Sequence, residues 1–234
     1  MIRLLTEDRV AEFSEFCKIR LNGAVIFTRM KTYGICNNEV FFWFSENEDG
    51  NINAVFSMLD GIFIVSEDGT ADKDEIAVFS QVIGASSVTY GNDAYLLKFD
   101  SSEKNVFAED VTGENLKDIF HIIFEEDKNR DSFFSRWYAD ASHKIRHGLI
   151  HGKCVYEDGI CVSVALTSGE TDSLAVISSV ATLSDYRRKG LGERVVLSLA
   201  KSLRKEIYLM TDNEKTKLWY EKIGFENIPG KDMF

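Results

Sequence analysis

The stretch Arg187-Arg188-Lys189-Gly190-Leu191-Gly192 is a basic, glycine-rich turn between two segments of different periodicity. Residues 174–183, which precede it, form an apolar and mostly β-branched or small run that is typical of a buried strand. Behind the turn, apolar residues recur every four positions, which predicts a helix: Leu191, Val195, Leu199 and Leu203. The turn is therefore predicted to join a strand to a helix.

Such a turn is suited to hold a phosphate group. The first N–H groups of a helix have no partner within it, and the helix dipole favours an anion there. Gly190 and Gly192 let a ligand approach the backbone because no Cβ stands in the way. The two arginines and the lysine add charge-assisted hydrogen bonds to phosphate oxygens. We therefore predict a phosphate-binding turn at residues 187–192.

A second informative segment spans residues 213–225 and ends in Ile223-Gly224-Phe225. Together, the strand, the Arg-x-x-Gly-x-Gly turn and this segment with its tyrosine, Tyr220, resemble the acetyl-coenzyme A site of the GNAT (GCN5-related N-acetyltransferase) superfamily. The resemblance begins at about residue 105 and is sharpest over 174–225. It implies an α/β (α+β) fold, with a mixed, mostly antiparallel sheet flanked by helices.

The predicted elements suggest that this fold occurs twice. The C-terminal half is predicted to contain helices at 115–126 and 131–147, then strands at 153–156, 160–167 and 174–183. The N-terminal half echoes this order, with helices at 6–16 and 17–30, strands at 40–45, 52–59 and 62–65, and a helix at 74–83. We expect a tandem with an N-terminal domain at 1–100, a linker within 91–113 and an acetyl-CoA-binding domain at 105–234.

The two predicted copies differ in the turn that would meet the phosphates. Residues 66–72 of the N-terminal half carry three carboxylates and no arginine, so this turn would repel a pyrophosphate. We therefore expect the N-terminal copy to be degenerate. The alternative is an unrelated α+β domain in this half.

The resemblance assigns roles to particular residues. The pyrophosphate is expected at Arg187, Arg188, Lys189, Gly190, Leu191 and Gly192. The pantetheine arm is expected to pair with the backbone of Val180, Ala181 and Thr182, and an N–H near Val180 to donate to the oxyanion. Asn213 matches the position that reaches the cofactor near its thiol. Tyr220 matches the general acid that protonates the departing thiolate, and the alternative role for it is a packed helix aromatic.

The general base is left unassigned. Many relatives carry a glutamate on the long strand, eleven residues before the first arginine of the turn, and Val176 stands at that position here. A relayed water, Glu157 or a histidine could serve instead, and no base is needed if the amine arrives neutral. His143, His147 and His151 recur every four residues, but no third ligand is placed with them, so we predict no metal site.

Composition narrows the class of partner. The formal net charge of −11 disfavours nucleic acids and anionic membranes as partners. No apolar run approaches the ~20 residues that span a bilayer. The four cysteines are scattered and show no Cys-x-x-Cys pair, so we expect reduced thiols and a cytoplasmic protein.

The sequence thus predicts an N-acetyltransferase that moves an acetyl group from acetyl-CoA, as co-substrate, to a primary amine by direct attack. The acceptor is a small-molecule amine or a peptide, and a homodimer is left open. The first alternative is a non-catalytic module that binds or senses acyl-CoA, which the missing strand glutamate would suit. A nucleotide-phosphate binder is the second, although the turn lacks the Gly-Lys-Ser/Thr ending that positions magnesium.

Overall fold

The computed structural model describes residues 1–90 and 94–228. The N-terminal half builds a five-stranded sheet in the order β1-β2-β3-β4-β5. Its strands are β1 Arg3–Leu4, β2 Phe41–Glu46, β3 Ile52–Leu59, β4 Ile62–Glu67 and β5 Ser87–Thr89, and its helices are α1 Val10–Lys18, α2 Leu21–Tyr33 and α3 Lys73–Val82. Only β4 and β5 pair in parallel, with α3 crossing between them.

The C-terminal half builds a seven-stranded sheet in the order β12-β6-β11-β10-β9-β8-β7. Its strands are β6 Tyr95–Phe99, β7 Glu109–Asp110, β8 Gly152–Glu157, β9 Ile160–Glu170, β10 Leu174–Thr182, β11 Glu206–Thr211 and β12 Phe225–Asn227. The helices of this half are α4 Leu116–Ile123, α5 Phe134–Arg146, α6 Leu191–Ser202 and α7 Glu214–Lys222. Short 3-10 turns lie at Glu7–Arg9, Arg130–Ser132 and Ser184–Tyr186.

The predicted fold class is confirmed. Each half contains three antiparallel strands, a crossover helix and a parallel strand, which are β2-β3-β4-α3-β5 in the first half and β8-β9-β10-α6-β11 in the second. The right-handed twist of strands favours this strand-helix-strand crossover, which places the helix against the sheet. The two halves therefore repeat one architecture.

The expectation of a linker across residues 91–113 is wrong. Its first residue, Gly91, lies outside the described residues, but β6 and β7 both fall inside the range and belong to the second sheet. β6 inserts between β11 and β12 and pairs antiparallel with both. Leu97 on β6 is completely buried in the core of the second half. The domain bounds at 100 and 105 stay a prediction.

Helix α2 of the first half lies against both sheets. Leu21 and Ala24 pack on the second sheet with Leu174 and Val176 of β10. On another face, Ile26 and other α2 residues join the core of the first half. Because α2 is apolar on more than one face, it fills the space between the halves.

Candidate functional site

A cavity of about 940 Å³ opens where β10 meets the basic turn, between the end of α4 and the start of α7. Eight of the predicted site residues line it: Val180, Ala181, Thr182, Arg187, Arg188, Gly190, Leu191 and Gly192. Lys189, Asn213 and Tyr220 are not among the described lining residues. Lys215, Thr216 and Trp219, from the first turns of α7, form the opposite wall.

The two central strands of the second sheet separate at this cavity. β10 and β11 pair in parallel only as far as Ile177 and Leu209. Beyond that point β11 continues to pair with β6, while β10 keeps its pairing with β9. A bulge marks the separation, and its exposed Ser179 has a φ of 45°. Residues 180–182 therefore present a strand edge that β11 does not cover, which suits an extended ligand.

The basic turn ends in an uncapped helix N-terminus. Arg194 makes the first hydrogen bond of α6, to the carbonyl of Gly190 (3.0 Å), so the N–H groups of residues 191–193 have no acceptor within the helix. Within residues 1–90 and 94–228, no side chain caps this end. Gly190 has a φ of 79°, and a Cβ built on it would meet no atom within 4 Å. Open space thus lies over a helix start with free donors, as an anion requires.

The corresponding place in the first half is already filled by the protein. The side chain of Asp72 caps α3 and accepts hydrogen bonds from the N–H groups of Asp74 and Glu75 (both 3.0 Å). Where β4 and β5 separate, Asn22 Nδ2 of α2 donates to the carbonyl of Val65 (2.7 Å). The donors that an anion would use and the strand edge that an extended ligand would use are thus already hydrogen-bonded within the protein. This agrees with a degenerate copy.

The three cations of the turn are placed differently. Arg187 donates through Nε to the carbonyl of Thr182 (3.0 Å), and its Nη2 lies 3.0 Å from Glu126 Oε1. The Lys189 ammonium lies 4.6 Å from the centre of the Tyr186 ring, which is a cation–π contact. Arg188 lines the cavity and has a φ of 65°.

Tyr220 is held in the core in this structure. It is 7% exposed, and its ring lies 4.7 Å from that of Trp219 and 5.5 Å from that of Phe225. Burial raises its pKa to about 12, so the phenol carries its proton at neutral pH. Within the described residues the hydroxyl has no hydrogen-bond partner. Its role as general acid stays a prediction.

Asn213 acts locally as the N-cap of α7. Its side-chain oxygen accepts a hydrogen bond from the N–H of Thr216 (3.1 Å), which satisfies one donor of the helix start. The residue thereby fixes the helix that supplies Lys215 and Thr216 to the cavity. Its contact with the cofactor stays a prediction.

The structure gives a physical reason for valine at the position of the usual base. Val176 is 2% exposed and packs with Leu21 of α2 and Tyr208 of β11. A carboxylate at this position would be buried among apolar side chains and would bear the cost of desolvation. Glu157 and the four histidines are absent from the described cavity lining. The base therefore stays unassigned.

Three carboxylates that the sequence reasoning missed line the cavity: Glu125, Glu126 and Glu193. Glu193 pairs with Lys104, and the other two face the basic turn. The signal in the sequence was the pair of adjacent glutamates at the end of the helix predicted at 115–126, but only the fold shows that this helix ends beside residue 187. Among the described residues, no group of three potential ligands is placed to hold a metal ion.

Comparison with known proteins agrees with this geometry. Residues 113–225 match the model of the acetyltransferase (GNAT) family. No curated protein sequence matches the chain. In the part of the chain that the structure describes, no helix is long and apolar enough to cross a membrane.

Solved structures extend the likeness over both halves. A GCN5-related N-acetyltransferase from Sphaerobacter thermophilus aligns with a TM-score of 0.61 and 12% identity, covering 97% of this chain and 92% of that one. A tandem GNAT protein from the clavulanic acid biosynthesis pathway gives a TM-score of 0.59 at 10% identity, with 97% and 95% covered. The chain spans only 59% of a putative GNAT acetyltransferase from Novosphingobium aromaticivorans. At such identities the likeness shows a shared fold, and it extends over both halves of the chain.

Proposed function

We propose that the chain is an acyltransferase that transfers an acetyl group from acetyl-CoA to a primary amine, on the basis of residues 113–225, which match the GNAT acetyltransferase family. The acceptor is a small-molecule amine or a peptide. We place the reaction in the cytoplasm, in keeping with four free thiols. The observation that carries the proposal is the uncapped start of α6 beside an open strand edge.

The cavity residues suit the two parts of the donor. The free N–H groups of residues 191–193, with Arg187 and Arg188 beside them, suit the diphosphate. The uncovered edge at residues 180–182 suits the amide-containing pantetheine arm, which can pair with it as a strand would. Both features lie in one cavity, so a single ligand can use them together.

The proposed chemistry is a direct attack by the amine on the thioester carbonyl. A backbone N–H near Val180 would stabilise the developing oxyanion, and Tyr220 would give its proton to the leaving thiolate. A phenol whose pKa burial raises to about 12 is protonated at neutral pH, as an acid must be. Its hydroxyl has to reach the thiol when the ligand binds, because it does not line the open cavity.

The variant Tyr220→Phe tests the enzyme directly. We expect its kcat to fall about 100-fold, the usual size of a lost general acid, while its affinity for acetyl-CoA stays within about twofold. Release of CoA over a panel of amines and titration calorimetry measure the two quantities. Tyr95→Phe, the same change at a tyrosine of β6 that does not line the cavity, is the matched control and should keep its turnover. Unchanged turnover in Tyr220→Phe would remove the tyrosine from the mechanism.

A non-catalytic acyl-CoA-binding module is the alternative function. The apolar setting of Val176 and the core position of Tyr220 favour it, since Val176 is no proton acceptor and Tyr220 does not present its proton to the open cavity. Such a module would bind acetyl-CoA and release no CoA with any amine in the panel. If neither binding nor turnover is found, both functions are wrong.

A further inference from the structure

Two adjacent glutamates after α4 contact the basic turn and the 3-10 turn that leads into it. Glu125 accepts hydrogen bonds from the N–H of Ser184 (3.2 and 3.1 Å to its two oxygens) and from Ser184 Oγ (3.1 Å). Glu126 contacts Arg187, with its Oε1 3.0 Å from Nη2. The residues that follow α4 therefore contact both the start of the 3-10 turn and Arg187, the first cation of the basic turn.

The two carboxylates differ in burial and in what they hold. The Glu125 side chain is 27% exposed and binds the N-terminal residue of the 3-10 turn Ser184–Tyr186. A carboxylate that accepts from the first N–H of such a turn fixes its shape, as an N-cap does for a helix. The Glu126 side chain is 78% exposed and has Arg187 as its partner. Glu125 is thus a structural contact, and Glu126 is a counter-ion.

Two of the three guanidinium nitrogens of Arg187 are engaged by the protein. The guanidinium donates to the carbonyl of Thr182 through Nε and to Glu126 through Nη2, and Glu125 lies 3.5 Å away. A diphosphate that binds Nη2 must therefore replace Glu126. If the diphosphate binds elsewhere on the guanidinium, Glu126 stays beside it as a like charge.

Resting on the proposed function, we infer that Glu125 and Glu126 are positioning residues with opposite effects on CoA binding. Glu125 holds the turn in the shape that presents its donors. Glu126 competes with the diphosphate for Arg187 and so keeps the affinity for CoA low, which favours release of the product. The distances from Glu125 to Ser184 and from Glu126 to Arg187 carry this assignment.

The competition is tested with Glu126→Gln, with CoA as the probe in titration calorimetry. We expect CoA to bind about two- to fivefold more tightly, the range for an exposed ion pair, and the gain to shrink as salt is raised. Glu114→Gln, an exposed carboxylate in the same half with the same charge change, is the matched control. In an Arg187→Gln background the gain should vanish. If the gain in CoA affinity persists in the Arg187→Gln background, or equals that of Glu114→Gln, Glu126 does not compete with the diphosphate for Arg187.

The positioning role is tested by comparing Glu125→Ala with Glu125→Gln. Both lose the negative charge, but only glutamine keeps an oxygen that can accept from Ser184. We expect CoA to bind about five- to tenfold more weakly to the alanine variant than to the glutamine variant. Thermal unfolding of both variants shows that each is folded.

Equal affinities of the two Glu125 variants would remove the positioning role. These outcomes are distinct from a failure of the proposed function, in which wild-type protein and all variants would bind no CoA at all.

Discussion

Gly190 is the residue on which the phosphate turn most directly depends. Its φ of 79° lies in the left-handed region, which a side chain makes costly, and its carbonyl accepts the first hydrogen bond of α6. Gly192, two positions later, lies within the helix and has an ordinary backbone. The two glycines of the motif thus serve different purposes: one sets the direction of the chain, and the other leaves room beside Trp219.

Gly190→Ala should lower the free energy of unfolding by about 1–2 kcal/mol, because the left-handed conformation is strained for alanine although space is available. Urea denaturation measures this. Gly192→Ala is the control: its Cβ would lie 3.5 Å from Thr182 Oγ1, an ordinary contact, and alanine favours a helix. Equal losses in the two variants would mean that the turn does not depend on the left-handed residue.

Some site residues could be predicted from the sequence alone, and others could not. The glycines and arginines of the turn could be predicted, because local backbone geometry and charge suffice to explain them. The glutamates at 125 and 126 could not, since their role depends on where a helix from another segment ends. The core position of Tyr220 likewise depends on Phe225 and the strands beneath it.

Helices α3 and α6 occupy equivalent places but begin differently. Asp72 caps α3 with its own carboxylate, whereas α6 begins at a glycine with no side-chain cap. A carboxylate at a helix start occupies the donors that an anion would use. This contrast could be predicted from the acidic and basic residues of the two turns.

Strand β6 lies outside what local patterns could predict. Its apolar residues are typical of a strand, but its pairing with β11 and β12 depends on segments far along the chain. Leu97 lies opposite Leu209, whose other neighbour, Ile177, forms the last pair before the strands separate. β6 therefore packs beside β11, on the side opposite β10, at the point where the cavity opens.

Leu97→Ala should destabilise the protein by about 2–5 kcal/mol, because the side chain is fully buried and its removal leaves a cavity. It should also weaken CoA binding, since β11 loses packing next to the point where it leaves β10. Urea denaturation and calorimetry measure the two effects. Leu218→Ala is the control, as that side chain is 48% exposed, and a similar loss there would contradict the role of β6.

The two halves meet through a polar cluster around Glu170, whose side chain is 3% exposed. It accepts from Thr167 Oγ1 (2.6 Å) and Lys205 Nζ (2.9 Å), and its Oε1 lies 2.9 Å from His151 Nδ1. Its backbone N–H donates to Thr28 of α2 (2.9 Å). The carboxylate is thus fixed at the point where the second half contacts the first.

This cluster makes stability depend on pH. The hydrogen bond to Glu170 raises the pKa of His151, so its contribution is fully present below about pH 6.5 and is lost as the pH rises through the raised value. Burial raises the pKa of Glu170, but its hydrogen bonds, first that to His151, outweigh burial and leave it lowered. That contribution is present above about pH 4.3 and is lost as the pH falls further.

We therefore expect the wild-type protein to lose more stability between pH 6 and pH 8 than His151→Gln does, because glutamine does not titrate. The midpoint of urea unfolding at the two pH values measures this. His147→Gln is the control, since that exposed side chain has no carboxylate partner among the described residues. Equal pH dependence in wild type and His151→Gln would exclude the cluster as the cause.

The place of β6 in the second sheet has a consequence for synthesis on the ribosome. Lys98 pairs with Tyr208, so the strand emerges more than a hundred residues before its partner. Until β11 is synthesised, the nascent chain carries β6 as an apolar segment whose backbone N–H and C=O groups have no strand partner. Such a segment can bind other chains or chaperones. Translation must pass residue 227 before the sheet of the second half can close.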